Sequence, residues 1–239
     1  MTSIATLTDV TKRYGSKTAV ANLSLSIAKG DVICLLGPNG AGKTTALKMM
    51  LGLERPSSGG IDVDGIDVTK DPKRARQRMA YIPEMVALHE TFTGMENLQY
   101  FAALVGGADL SAGHLEGCLS RAGLQQEAWD RRLAGYSKGM RQKVGVAIAL
   151  AKKASLLVLD EPTSGLDPKS AYDFAALTKD VAAGNAGVVM ATHDIFRAKD
   201  MATQILILKD GRVVDTIDPA SCSYEDIERA YLRVFEAAA

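Results

Sequence analysis

Asp31-Val-Ile-Cys-Leu-Leu-Gly-Pro-Asn-Gly-Ala-Gly-Lys-Thr-Thr45 is the stretch that decides how this chain folds. Its opening residues form a short apolar run that stops at a glycine, the pattern of a buried strand. Gly37 to Thr44 then fits G-x-x-x-x-G-K-[ST], and Ala46, Leu47, Met50 and Leu51 follow at helical spacing up to a closing Gly52. Strand, loop and helix in that order are the context the motif requires, and a ligand-free glycine turn would need no such agreement. Gly40 and Gly42 let the backbone curl so that successive N–H groups converge on phosphate oxygens. The helix beginning there adds unpaired N–H groups and the positive end of its dipole. Lys43 is then a mobile cation for β- and γ-phosphates, and the Thr44 hydroxyl is a ligand for Mg²⁺.

Working outward, Ser155–Leu159, Ala186–Ala191 and Gln204–Leu208 are further apolar runs, with helix-length segments following the first two. Strand and helix in alternation predict a parallel sheet covered by helices. Upstream, Ala5–Val10 and Ala19–Ile27 partly alternate apolar and polar residues around a turn at Tyr14-Gly15, which predicts a β edge. From about Phe92 to Ala151 the patterning is helical, as in Met95–Val105. The expected fold is therefore α/β: a P-loop NTPase core with an antiparallel β edge and an inserted helical subdomain. Residues 1–84 and 155–239 are assigned to the core and residues 85–154 to the helical part, all within one domain. A single phosphate loop and no internal repeat argue for one unit rather than a tandem pair.

The 239 residues are 47% hydrophobic, and 28 basic residues balance 28 acidic ones. That is enough apolar material for an independent core, and the lack of a basic excess argues against a nucleic-acid partner. No apolar run approaches the roughly eighteen residues of a membrane span, and the first residues carry no signal-peptide core. Cys34, Cys118 and Cys222 are odd in number and widely spaced, which fits neither a disulfide framework nor a zinc site. The expectation is a soluble cytosolic chain.

A second motif supports the first. Leu156-Leu-Val-Leu-Asp160-Glu161-Pro162 is a hydrophobic strand ending in two acids. A parallel strand delivers Asp160 at its carboxyl end, where ligands bind in open α/β sheets, so Asp160 is expected in the Mg²⁺ shell. Glu161, one residue on, is placed to polarise a water for attack on the γ-phosphate.

In motif order, nearly the whole chain resembles the ATP-binding cassette ATPases, the nucleotide-binding subunits of ABC transporters. Tyr14 in Val-Thr-Lys-Arg-Tyr-Gly looks like the aromatic that stacks on adenine. Tyr136-Ser-Lys-Gly-Met140 stands at the family signature, Ser164-Gly-Leu-Asp167 looks like the D-loop, and His193 looks like the switch histidine. The resemblance implies ATP and Mg²⁺ as cofactors. It implies nucleotide contacts from Tyr14, Gly37, Pro38, Asn39, Gly40, Ala41, Gly42, Lys43, Thr44, Thr45 and Glu84, and metal ligation by Thr44, Asp160 and Glu84. It implies catalysis by Glu161, His193 and Lys43, with His193 contacting the γ-phosphate and orienting water. Ser137, Gly139 and Asp167 would act in trans across a head-to-tail homodimer or heterodimer of ATPase subunits. A separate transmembrane permease, engaged at the cytoplasmic face of a bacterial-type membrane, would choose the cargo.

Two departures stand out. Glu84 replaces the usual Q-loop glutamine, bringing charge and acceptor capacity only. It is expected to remain the metal-sensing residue at the membrane-coupling hinge. Lys138-Gly-Met140 replaces the usual Gly-Gly-Gln; Lys138 is read as solvated, the alternative being an added cation near the trans phosphate. The Ser-Lys-Gly-Met form with Pro83-Glu84 looks like the ABC-2-type export branch, while a soluble ABC ATPase driving assembly or repair is the competing class. Basic residues over Lys70–Arg78 are read as a solvated helical face, Trp129 as packing, and His89 and His114 as surface residues. Tyr224–Phe235 is read as an amphipathic terminal helix that leaves no room for an accessory domain.

Overall fold

The computed structural model describes residues 3–104 and 108–236. Val105, the end of the helical pattern read from Met95, lies outside the described residues, as do the outermost residues at both ends. Two long strands come first, β1 (Ser3–Tyr14) and β2 (Lys17–Ala28). β3 (Val32–Leu36) and α1 (Lys43–Met50) flank the glycine loop. Then come β4 (Ser58–Val63), β5 (Ile66–Asp67), α2 (Pro72–Gln77) and β6 (Met79–Ile82). The middle holds α3 (Gly94–Ala103), α4 (Ala112–Arg121), α5 (Gln126–Trp129) and α6 (Lys138–Ala151). β7 (Leu156–Asp160), α7 (Pro168–Ala183), β8 (Gly187–Thr192) and α8 (Ile195–Met201) resume the alternation. β9 (Gln204–Lys209), β10 (Arg212–Ile217) and α9 (Tyr224–Glu236) follow.

Two sheets result. One is antiparallel, in the order β2-β1-β4-β5; the other runs β10-β9-β3-β8-β7-β6, parallel from β9 to β6 with β10 antiparallel at its edge. The apolar run of β3 does not alternate in sequence because both of its faces are covered. Val32, Cys34 and Leu36 enter a core shared with α3, α4, α6 and α7, whereas Ile33 and Leu35 enter a second core with α1 and the antiparallel sheet. β7, β8 and β9 split their residues between the same two cores. The order of strands places β3, β8 and β7 side by side, so the loops leaving their carboxyl ends share one edge.

Local chemistry explains the helix starts. Thr93 and Glu96 form a reciprocal capping box on α3, and Asp167 caps α7 with Pro168 in its first turn. Within the basic 70–78 segment Pro72–Gln77 forms α2, and Lys70, Lys73, Arg74 and Arg78 are exposed as expected, while the half-buried Arg76 donates to the carbonyls of Leu51 and Gly52. Trp129 packs against the larger core and donates Nε1–H to Leu124 O at 2.9 Å. His89 is exposed within an aromatic group of Phe92, Tyr100 and Phe101, whereas His114 is half-buried beside Cys118. Among the described residues no helix is long and apolar enough to cross a membrane.

Candidate functional site

The loop between β3 and α1 turns through two glycines, with Gly37 N donating to Thr192 O and Ala41 N to Pro38 O. Gly42, the N-cap residue of α1, has φ +103°, and Gly40 has φ +87°, both in the left-handed region. A Cβ on Gly42 would collide with the carbonyl of Ala19 in β2, so only glycine allows the loop to pass that strand. Lys43 is almost fully buried, and its ammonium folds back to donate to Gly37 O at 2.6 Å and Pro38 O at 3.1 Å. It also stands 3.7 Å from Glu161 Oε1. Desolvation pulls the Lys43 pKa down, and the charges of Glu161 and Asp160 push the other way.

β7 brings its two acids to the same edge. Thr44 Oγ1 donates to Asp160 Oδ1 at 3.3 Å. Burial raises the Asp160 pKa, the Thr44 hydrogen bond lowers it, and Glu161 and Glu84 raise it further. Glu161 has φ +46°, a strained setting for a side-chain-bearing residue. The carboxylate is pinned by three groups from different elements: Lys43, Thr192 Oγ1 donating to Oε2 at 3.0 Å, and His193 Nδ1 at 3.0 Å from Oε1. An ionised carboxylate only accepts, so Nδ1 carries the proton and Nε2 of a neutral ring is an acceptor.

A cavity of about 380 Å³ gathers most of the residues expected from the sequence. Tyr14, Pro38, Asn39, Gly40, Gly42, Lys43, Thr44, Thr45, Glu84, Asp160 and Glu161 line it, joined by Lys17 and Ala19. Gly37 and Ala41 belong to the same loop but do not line the cavity. Tyr14, half exposed at the end of β1, has the Lys12 ammonium 4.9 Å from its ring centroid. His193 faces a neighbouring cavity of about 250 Å³ that shares Glu161 as its wall.

Ser137, Gly139 and Asp167 line neither cavity. Ser137 accepts from Met140 N as the N-cap of α6, Gly139 is buried against Ser170, and Asp167 accepts from Ser170 N and Oγ. Those Ser170 hydrogen bonds hold the Asp167 carboxyl below its ordinary pKa. Lys138 is partly exposed, and its ammonium lies 3.9 Å from Glu84 Oε1, a contact that the sequence reading does not include. The sequence reading also missed Thr192 and Gln142. Gln142, fully buried in α6, donates to Pro162 O next to Glu161, and its own Oε1 has no partner among the described residues. The apolar spacing of α6 gave Gln142 no functional mark, whereas Thr192 could have been suspected as the last residue of a strand beside His193.

No group of three or more His, Cys, Asp or Glu among the described residues could hold a metal by itself. Thr44 and Asp160 offer adjacent hard oxygen donors, and burial of the carboxylate favours a compensating cation; this fits a Mg²⁺ whose coordination phosphates and water complete.

The family model described as "ABC transporter" matches residues 20–164, from β2 across the glycine loop and α6 to the acids of β7 and on to Ser164. The chain belongs to the ABC transporter family. This ABC cassette is 36% identical over 216 residues to the ABC transporter ATP-binding protein NatA of Bacillus subtilis, with 87% of each chain covered. It is 35% identical over 219 residues to the bacitracin transport ATP-binding protein BcrA of Bacillus licheniformis, covering 91% of this chain and 70% of that one. Among solved structures, an ATP-binding subunit of an ABC transporter superposes with a TM-score of 0.81 at 27% identity, over 96% of this chain and 99% of the other. A dimeric cassette in a post-hydrolysis state bound to ADP and Pi gives a TM-score of 0.79 at 27% identity, over 90% and 98%. The cassette is an ATPase, as its motifs imply, with the α/β fold of its family.

Proposed function

We propose that this cassette is the ATP-hydrolysing subunit of an exporter, dimerising on ATP to drive a separate transmembrane permease from the cytoplasmic face of a bacterial-type membrane. The observation that carries the hydrolytic reading is the Glu161 carboxylate, held between Lys43 on the cavity side and His193 and Thr192 on the other. In this reading Lys43 leaves the Gly37 and Pro38 carbonyls for the phosphates, and the loop N–H groups hold the β-phosphate. Glu161 takes the proton of the attacking water, while Thr192 and His193 keep its carboxylate from rotating. Thr44, Asp160 and Glu84 would hold Mg²⁺, which would supply neutralisation of charge on the phosphates. Catalysis is positioning and charge stabilisation, with Tyr14 fixing the base.

The trans roles of Ser137, Gly139 and Asp167 are supported by their absence from the lining of the cavity in their own chain. Gly139 lies in the first turn of α6, where free N–H groups and the dipole favour an anion. Export is supported by relatives named for bacitracin transport and daunorubicin resistance. Residues 85–154 would then act as the lobe that meets the permease. An apolar groove of about 320 Å³, lined by Tyr81, Pro83, Val86, Leu88, Phe101 and Leu104, runs beside the Glu84 loop. Leu104 of its lining is exposed, as is Met85 in the adjoining loop, apolar side chains that a membrane subunit would cover.

Affinity purification of the tagged cassette from detergent-solubilised cells tests this. A polytopic membrane protein should copurify, and Met85→Glu/Leu104→Glu should lose it while retaining ATP binding. Recovery of a soluble assembly complex with no polytopic protein would overturn the transport reading.

A further inference from the structure

Glu84 and Lys138, the two departures from the family pattern, are far apart in sequence but adjacent in the fold. Glu84 lies on the loop after β6, and Lys138 opens α6 between Ser137 and Gly139. Lys138 Nζ stands 3.9 Å from Glu84 Oε1, and Ser164 Oγ donates to that same oxygen at 2.8 Å. The start of α6, the loop after β6 and the loop after β7 therefore meet at one carboxylate oxygen.

The charge balance gives this junction a purpose. Glu84 is the third carboxylate in the cavity wall, after Asp160 and Glu161, and a nucleoside triphosphate would add further negative charge. A glutamine there would add no charge and need no compensation. A glycine at 138 would leave Glu84 without its cation. Each departure brings a charge that the other offsets in part.

We propose that Lys138 is a positioning and charge-compensating residue for Glu84, holding that carboxylate until a metal-bound nucleotide replaces the ammonium. This rests on the reading of Glu84 as a metal ligand given above. Both side chains are partly exposed, at 31% for Lys138 and 53% for Glu84, so their attraction is weak and screened by salt. Such a pair yields readily to a divalent cation. The released ammonium then stands at the N-terminus of α6 beside Ser137, where the polyphosphate of an opposing cassette would meet it. Loading one site thereby prepares the surface that closes over the other.

A double-mutant cycle tests the pair. Wild type, Glu84→Gln, Lys138→Met and the double variant are compared for Mn²⁺ binding with a non-hydrolysable ATP analogue, read by electron paramagnetic resonance of free Mn²⁺. Binding of the same analogue is also measured in excess chelator. With Glu84 present, Lys138→Met should weaken metal-free analogue binding and tighten Mn²⁺ binding, each roughly two- to five-fold at low ionic strength, and added salt should shrink both effects. In the Glu84→Gln background the same substitution should no longer change the ratio of the two affinities, and Lys138→Arg should behave as wild type. Equal shifts in both backgrounds, or no shift in either, would overturn the pairing. A wild-type protein that binds no Mn²⁺ with the analogue would instead overturn the metal-site reading itself.

Discussion

Glu161→Gln separates the two tasks assigned to this carboxylate. Glutamine keeps its length and can still accept from Thr192, so the change is one of charge rather than shape. Lys43 and Glu161 stand 3.7 Å apart with side chains only 6% and 15% exposed. At an effective dielectric of about 20 that separation corresponds to roughly 4 kcal/mol of attraction. Desolvation of both groups opposes it, so losing the Glu161 charge, which leaves the buried Lys43 ammonium less compensated, should cost on the order of 1–2 kcal/mol. The nucleotide-free variant should therefore melt about 2–8 °C below wild type, taking roughly 2–4 °C per kcal/mol for a chain of this size. Loss of the base should slow hydrolysis by about 10²–10⁴-fold, or roughly 3–5 kcal/mol of transition-state stabilisation. With ATP the melting shift should reverse, because an anion facing the phosphates is gone and the unhydrolysed complex persists. Differential scanning calorimetry with and without Mg²⁺ and ATP, phosphate release, and light scattering of the eluted complex read these effects separately. Wild-type turnover would refute the base, and an ATP-bound variant that stays monomeric would refute the dimer.

The glycine loop and the buried acid yield two more tests. Gly42→Ala adds a collision with the Ala19 carbonyl to an unfavourable φ, whereas Gly40→Ala meets nothing within 4 Å. The latter should cost about 1–2 kcal/mol in chemical denaturation and the former clearly more, or the variant should fail to accumulate folded; equal costs would contradict the close passage of β2. Asp160 has a folded pKa raised by burial, so its ionised form destabilises the fold as pH rises from the unfolded value through the folded one. Asp160→Asn should therefore raise the melting temperature of the nucleotide-free protein at neutral pH, with the gain vanishing in acid. Metal-dependent turnover should fall roughly a hundredfold or more, and a lowered melting temperature at neutral pH would show the carboxylate to be stabilising instead.

Much of the fold was legible because its signals are local. The Val32–Leu36 run, the glycines at 40 and 42 and the helical spacing after Thr44 each obey short-range rules, and β3, the loop and α1 form where these rules put them. The runs over Ser155–Leu159, Ala186–Ala191 and Gln204–Leu208 became β7, β8 and β9 for the same reason. β4, β5, β6 and β10 were not read. β4 begins Ser58-Gly-Gly, β5 spans two residues, β6 spans four, and β10 is largely exposed, so each takes its strand form from ladder bonds to a neighbour. The contact of Lys138 with Glu84 was not legible, because a lysine near the start of a helix carries no local sign of an acid more than fifty residues upstream.

The sequence by itself determined the chemistry. A phosphate loop admits few residues at its strained positions, and a buried strand ending in Asp160-Glu161 places its acids at the carboxyl edge by the rules of parallel sheets. Only the tertiary structure decided which groups touch. Strand order sets β8 between β3 and β7, and that adjacency lets Thr192 and His193 grip a carboxylate that Lys43 meets from the other side. The packing of α6 against β6 and α7 likewise turns two separate departures into one ion pair and carries Gln142 to the carbonyl of Pro162. Contacts of this kind depend on long-range register and packing, which composition and periodicity along the chain do not record.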